Sequence, residues 1–268
     1  MSKTILITGA TDGIGLETAK LLRSEGHNLL LHGRNDGKLA AARDSIAAIG
    51  GPGRIRTYRA DLSSIGAVER FAQEIQQNEP ALDVLINNAG VFAMEDPVTS
   101  DGLDARFAVN TIAPYILARE LTELLGANGR IVNVSSAAQA PVSLEALKGG
   151  QRLSDNDAYA QSKLAITMFS RHLANELGTA GPTVIAVNPG SLLGSKMVKK
   201  AYGMQGKDLS IGAEILGRAA TSSDFNDASG RYFDNDSGQF RNPHSDASDP
   251  AKNAALVETI EDILQDKT

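Results

Sequence analysis

The sequence predicts a single α/β domain on a doubly wound, mostly parallel sheet. Three observations point there. Short apolar runs alternate with amphipathic helical stretches over most of the 268 residues. The runs are apolar at consecutive positions, as parallel strands covered on both faces require. A glycine-rich turn, Thr8-Gly9-Ala10-Thr11-Asp12-Gly13-Ile14-Gly15, separates the first run from the first helix. Right-handed strand–helix–strand connections then bring the strand ends, and any ligand, to one edge of the sheet.

In chain order, Ile5-Leu6-Ile7 centres a strand over Thr4–Thr8, followed by a helix over Gly13–Glu25. Strand Asn28–His32 and helix Lys38–Ala48 repeat the unit, as do Ile55–Arg59 with Ile65–Asn78, and Val84–Asn87 with Leu103–Leu125. Gly129–Ser135 is the fifth strand, Ala158–Leu177 the next helix and Thr183–Val187 the sixth strand; a short strand follows at Gly230–Phe233. The tail from Asn235 to Pro250 reads as polar turns, and Ala251–Leu264 closes as a helix. Two segments break the rhythm: an insertion at Ala137–Asp157, and residues 194–208, rich in Gly, Lys and Met, expected to form a mobile flap over the strand ends.

Bulk properties narrow the function classes. A hydrophobic content of 42% and a mean hydropathy of -0.16 suit a soluble chain with a proper core. The net charge of -6 and pI of 5.3 argue against nucleic acid as a partner. There is no cysteine, and the four histidines, at 27, 32, 172 and 244, form no metal-spacing pair, so no metal is expected. No apolar stretch reaches the length of a signal peptide or membrane span, and the expected location is cytoplasmic.

The chemistry concentrates at three places. Small residues in the Gly9–Gly15 turn let backbone approach a pyrophosphate at a helix N-terminus; a plain tight turn is the alternative. Ser135 and Ser136 end the fifth strand and point to opposite sides, so one of them faces the strand-end cleft. Tyr159 and Lys163 lie one helical turn apart on one face. A free tyrosine titrates near ~10, and a neighbouring positive charge favours its phenolate.

Taken in order, Thr8–Gly15, Asp61-Leu62, Asn87-Asn88-Ala89-Gly90, Asn110, Ser136, Tyr159/Lys163 and Pro189-Gly190 resemble the motifs of the classical short-chain dehydrogenase/reductase family, across nearly the whole chain. The insertion before Tyr159 and Gly230-Arg231-Tyr232-Phe233 are similar to the retinol-dehydrogenase-like branch. The resemblance implies a Rossmann-type domain exchanging hydride between a nicotinamide and a small-molecule carbonyl or alcohol. Tyr159 would be the acid/base, Lys163 its field source and ribose clamp, and Ser136 rather than Ser135 the hydrogen-bonding partner of the substrate oxygen. Asn110 would hold a bent helix and a water linking the lysine to solvent, or be a buried structural amide. Gly9, Thr11, Asp12, Gly13, Ile14 and Gly15 would hold the pyrophosphate, and Asp61 and Leu62 the adenine, although Asp61 also suits a helix cap. Asn88, Ala89 and Gly90 would border the ribose, with Asn87 equally suited to tying strands together. Pro189, Gly190, Ser191 and Leu192 would meet the nicotinamide, with Ser195 supplying a hydroxyl nearby.

In the family's NAD enzymes an acidic residue stands where this chain has Gly33. Here Arg34 follows directly, and a guanidinium suits a ribose phosphate, so NADP(H) is expected over NAD(H). Val91-Phe92-Ala93-Met94, the insertion, Met197, Tyr202 and Met204 would line the substrate pocket, an apolar set that points to a bulky or lipophilic substrate. A catalytically silent NADP(H)-binding sensor or scaffold is the alternative, opposed by the retention of Asn110, Ser136, Tyr159 and Lys163; a sugar-nucleotide epimerase fits the glycine spacing poorly. Relatives often dimerise through the helices bearing Asn110 and Tyr159. The apolar face of Ala158–Leu177 suits either such a homodimer or the sheet.

Overall fold

The computed structural model describes residues 2–194, 199, 203 and 205–267. Strands β1 (Thr4–Ile7), β2 (Asn28–Gly33), β3 (Ile55–Arg59), β4 (Val84–Asn87), β5 (Arg130–Val134), β6 (Thr183–Asn188), β7 (Tyr232–Asp234) and β8 (Gln239–Arg241) form one sheet in the order β3-β2-β1-β4-β5-β6-β7-β8. Every neighbouring pair is parallel except β7–β8. The chain reverses its winding direction between β1 and β4, which opens a crevice at their C-terminal ends.

Alternate residues of the buried strands feed two cores. Ile5, Ile7, Leu29, Leu31, Val132 and Ile185 face one side, against α1 (Gly13–Ser24), α2 (Asp36–Ala47) and α9 (Ser210–Thr221). Leu6, Leu30, Leu85, Ile131 and Val184 face the other, against α3 (Ile65–Asn78), α5 (Ala113–Glu120) and α8 (Asp155–Leu177). With both faces covered, the apolar runs have no polar alternation to show. The edge strand β3 carries exposed Arg56 and Arg59, charges that discourage pairing with another sheet.

Several elements differ from the sequence expectation. The single helix expected over Leu103–Leu125 is broken into α4 (Ala105–Phe107), a π-helical turn (Ala108–Ile112), α5, and α6 (Thr122–Leu125). Pro114 lacks the N–H that would bond the Asn110 carbonyl, and the Ala113 N–H reaches back to the Ala108 carbonyl instead, so the turn widens. The insertion holds a short helix, α7 (Leu144–Leu147), and already contains the start of α8. There Ser154 Oγ accepts from Asp157 N at 3.2 Å, and Asp155 and Asp157 sit at the positive end of the helix dipole. The stretch read as polar turns contains β8, whose Phe240 packs edge-on to Phe225 and Phe233, with ring centroids 5.4 and 5.1 Å away. Most of the expected flap, including Ser195, Met197, Tyr202 and Met204, lies outside the described residues. Its base is within them: a parallel bridge joins Leu193 to Lys207.

The apolar face of α8 meets the sheet on one side and the last helix, α10 (Pro250–Lys267), on the other. Leu256, Val257, Ile260 and Ile263 of α10 join the core that contains Leu164, Phe169 and Leu173 of α8. The Tyr115 hydroxyl of α5 donates to Glu261 of α10. A homodimer through this face of α8 would require α10 to leave it. Leu256 is fully buried, so Leu256→Ala should cost about 2–4 kcal/mol of unfolding free energy, read by denaturant titration.

Candidate active site

The crevice between β1 and β4 opens into a cleft of about 580 Å³ that runs from Arg34 and Lys38 at one end to Ser136, Tyr159 and Leu192 at the other. The turn after β1 forms its floor. Gly9 takes a φ of +67°, and a Cβ there would stand 2.9 Å from Ala89 Cα. A Cβ on Gly15 would fall 2.4 Å from the Gly9 carbonyl oxygen and 2.3 Å from Asn88 Nδ2. Only glycine lets β1, α1 and the end of β4 approach this closely. Asp12 caps α1 by accepting from Gly13 N at 2.9 Å. The turn is held from β4: Asn88 Nδ2 donates to the Thr8 carbonyl at 2.9 Å and the Gly9 carbonyl at 3.2 Å, while Thr8 Oγ1 accepts from the N–H groups of Asn88 and Ala89. The Asn88 side chain therefore braces the turn, and Ala89 and Gly90 present the backbone surface of the cleft.

His32, which the motif reading passes over, holds the turn from the other side. Its Nδ1 accepts from Gly9 N at 3.2 Å, so Nε2 carries the proton and donates to the Ala60 carbonyl at 3.1 Å. The ring is buried and packs 4.9 Å from Phe71. Burial pushes its pKa down to about 4, against the opposing pull of the Ala60 carbonyl and the Asp61 charge.

At the Arg34 end, Arg34, Lys38 and Asp61 are exposed at the cleft rim, with buried Leu62 beside them in the lining. A Cβ on Gly33 would lie 2.5 Å from Thr11 Cγ2, leaving no room for an acidic side chain unless Thr11 moves. Lys38 is a second cation that sequence reasoning missed; its spacing one helical turn beyond Arg34, after the Asn35 cap, was the available signal. Asp61 does not cap α3. It accepts from Ser63 N and Oγ, its carboxyl held below the usual range although burial opposes this, and Asp101 caps α3 through Ile65 N.

At the other end, the two serines separate as the strand pleat dictates. Ser135 is buried, its Oγ bonded to the Lys163 carbonyl and Thr167 Oγ1. Ser136 lines the cleft, and its Oγ accepts from Ala138 N at 3.1 Å, which leaves its O–H to donate elsewhere. The Ser136 carbonyl accepts from Tyr232 Oη at 3.1 Å and Gln139 Nε2 at 3.0 Å. Lys163 is buried, donates to the Val134 carbonyl at 2.7 Å, and lies 5.7 Å from the Tyr159 ring centroid. Burial pushes its pKa down to about 8. The Phe92 ring stands edge-on to Tyr159 with centroids 4.8 Å apart. Its carbonyl accepts from buried Arg106, which also grips Asp104 and Asp155 and so ties the start of α8 to this wall.

Asn110 sits in the π-helical turn, fully buried. It accepts from Val91 N at 2.8 Å and donates to the Val91 carbonyl and to Ser162 Oγ, each at 3.0 Å. Its side chain thus joins the β4 loop to α8 and is fully used in doing so. Asn87 bridges strands through Asn133 Oδ1 at 2.8 Å. Pro189, Gly190, Ser191 and Leu192 border the cleft, but Ser191 directs both its N–H and its hydroxyl to Asp236. Ala93 and Met94 fall outside the cleft lining.

A family model for short chain dehydrogenase matches residues 3–206. The chain is 31% identical over 251 residues to Retinol dehydrogenase 13 of Mus musculus, covering 87% of this chain and 75% of that protein. Among solved structures, an uncharacterized protein from Mycobacterium Paratuberculosis superposes with a TM-score of 0.81 at 27% identity, covering 98% of this chain and 93% of the other. The angucycline C-6 ketoreductase LanV, solved with bound NADP, superposes with a TM-score of 0.69 at 27% identity over 87% of this chain and 93% of its own.

The His32 geometry has a pH signature. Its folded pKa lies below the unfolded value, so its contribution is intact above pH 6.5 and is lost as pH falls toward 4. Between pH 7 and pH 4.5 the wild type should lose about 2 kcal/mol relative to His32→Gln, read by urea unfolding at the two pH values.

Proposed function

The chain belongs to the short-chain dehydrogenase family, in its retinol-dehydrogenase-like branch, and on that premise we propose an NADP(H)-dependent oxidoreductase in which Tyr159 is the acid/base for a carbonyl or alcohol substrate. The observation that carries this reading is the meeting of Ser136, Tyr159 and Lys163 at one end of the cleft whose floor is the Gly9–Gly15 turn.

The cradle fits a dinucleotide. Gly9 and Gly15 leave the backbone open where a pyrophosphate would lie, at the N-terminus of α1. When bound, the reduced cofactor supplies the hydride that adds to the carbonyl carbon. Negative charge then develops on the carbonyl oxygen, and the Tyr159 hydroxyl supplies the proton that neutralises it. In the oxidative direction the tyrosine takes the alcohol proton. Lys163, rigidly seated beneath the ring, provides the positive field that makes a tyrosinate accessible. The free hydroxyl proton of Ser136 suits the same oxygen, a preorganised donor at the site of charge development. Asn110 serves by fixing Val91 against Ser162, and thereby the height of α8 beside the cleft.

Preference for NADP(H) rests on the exposed Arg34 and Lys38 and on the lack of room for a carboxylate at Gly33. LanV's bound NADP agrees with it. The described substrate wall, Val91, Phe92, Leu192 and Leu193, is apolar and favours a lipophilic substrate. Retinol, named for one relative, is an alcohol of that kind.

Assay of a carbonyl panel with NADPH and NADH side by side tests the reading. Tyr159→Phe should lower kcat by at least ~10³-fold while NADPH still binds in a fluorescence titration; undiminished turnover would overturn the assignment. Arg34→Ala should reduce the NADPH/NADH ratio of kcat/KM by at least ~10-fold, the loss of one charge-assisted phosphate contact. An unchanged ratio would remove Arg34 from cofactor selection.

A further inference from the structure

The turn between β7 and β8 reaches away from its own hairpin. Three consecutive side chains grip the segment Asn188–Ser191. Asp234 Oδ1 accepts from Asn188 Nδ2 at 2.8 Å, and Asn235 Nδ2 donates to the Pro189 carbonyl at 2.9 Å. Asp236 Oδ1 accepts from Ser191 N at 2.9 Å, and its Oδ2 accepts from Ser191 Oγ and from Asn188 Nδ2, the latter at 3.0 Å. The same carboxylate stands 3.9 Å from Lys207 Nζ, at the far base of the 194–208 segment.

Local closure of the turn does not need Asp236. The turn is closed by Ser237 N on the Asp234 carbonyl and by Asp236 N on Asp234 Oδ1. Among the described residues, the hydrogen-bond donors to the Asp236 carboxylate come from Ser191 and Asn188, and Lys207 is its cationic neighbour. Immediately beyond the grip, Leu192 takes a φ of +57°, the single non-glycine positive φ among the described residues, and is exposed at the cleft. A Cβ-bearing residue holds that conformation only where its surroundings impose it. Two contacts flank it: Asp236 on Ser191, and Lys207 N donating to the Leu192 carbonyl at 2.7 Å.

We propose that Asp236 is a positioning residue for hydride transfer: it clamps the Pro189–Leu192 loop in the shape that sets the nicotinamide half of the cofactor against Tyr159. The proposal rests on the functional reading above, which puts that loop on the nicotinamide side. Asp236 touches none of the reacting atoms. It acts through Ser191, whose N–H and hydroxyl it holds, and through Lys207, which connects the loop to the base of the flap. The adenosine end of the cleft, with Arg34, Lys38 and Asp61, is served by other elements and should not sense Asp236.

The test compares full-length wild type with Asp236→Ala and Asp236→Asn. Amide hydrogen exchange at Ser191, measured without cofactor, should accelerate at least ~10-fold in Asp236→Ala, since its acceptor is gone. Affinity for adenosine 2′,5′-bisphosphate should stay within ~2-fold of wild type while affinity for NADPH falls about 10-fold, because only the nicotinamide half loses its seat. With NADPH deuterated at C4, the primary isotope effect on kcat should rise as misalignment makes hydride transfer limiting. Asp236→Asn keeps an oxygen for Ser191 N and should recover most of each change. Unaltered Ser191 exchange, or an unaltered NADPH affinity and isotope effect, in Asp236→Ala would overturn the clamp while leaving the enzyme's function standing. Wild type without affinity for NADPH would overturn the functional reading and the positioning role with it, and the exchange result would still show whether Asp236 holds the loop.

Discussion

The close approach of the β1 turn to the end of β4 is the constraint from which the rest of the site follows. Gly9 lies almost in contact with Ala89, and Gly15 with the Gly9 carbonyl, at separations that any side chain would abolish. Asn88 and Thr8 close that seam with four hydrogen bonds, and His32 ties it to β2 and to the start of the β3–α3 connection. A cleft floored by backbone results, and the polar and charged side chains that line it are brought to it from outside. Arg34 and Lys38 come from the β2–α2 junction, Ser136 from β5, and Tyr159 with Lys163 from α8.

Bringing α8 to that floor takes several devices. Lys163 passes beneath the tyrosine to bond the Val134 carbonyl, and Ser135 bonds the Lys163 carbonyl, so strand and helix are stitched beside the cleft. The π-helical turn at Asn110 provides a second stitch through Ser162. Arg106 provides a third, at the start of the helix. Burying a lysine and an arginine is costly unless they are hydrogen-bonded, and each here has partners that fix its position. The two charges therefore act as rigid struts that hold α8 and its Tyr159 ring beside the cleft.

Much of this was legible in the sequence because it depends on local pattern. Consecutive apolar runs reported parallel strands, and a tyrosine and lysine four residues apart share a helical face wherever the helix begins. The pleat said that only one of the two adjacent serines could face the cleft, the resemblance said which, and Ser135 does turn into α8. Tertiary context carried the rest. Strand β8 is three residues long with one large apolar side chain, too short for any periodicity, and it forms because Phe240 completes a ring cluster. A bend at Asn110 was expected from the resemblance, but the extent of the break, fixed by Pro114, was hidden by helical periodicity on both sides. His32 and Asp236 carry no motif. Their roles exist only once β1 lies beside β2 and the β7–β8 turn beside the end of β6.

The packing of α10 has a temporal consequence. Strands β1 to β4 with α1 to α3 and the Gly9–Gly15 turn are encoded in the first third of the chain, and of the cover on their α1 face only α9 comes later. The half that carries Ser136, Tyr159 and Lys163 waits longer. Helix α8 lacks its outer cover until residues 250–267 have been made, and the Ser136 carbonyl lacks its Tyr232 partner until β7 is in place. A nascent chain would thus hold the strands and glycine turn at one end of the cleft before the Ser136, Tyr159 and Lys163 end has its outer cover.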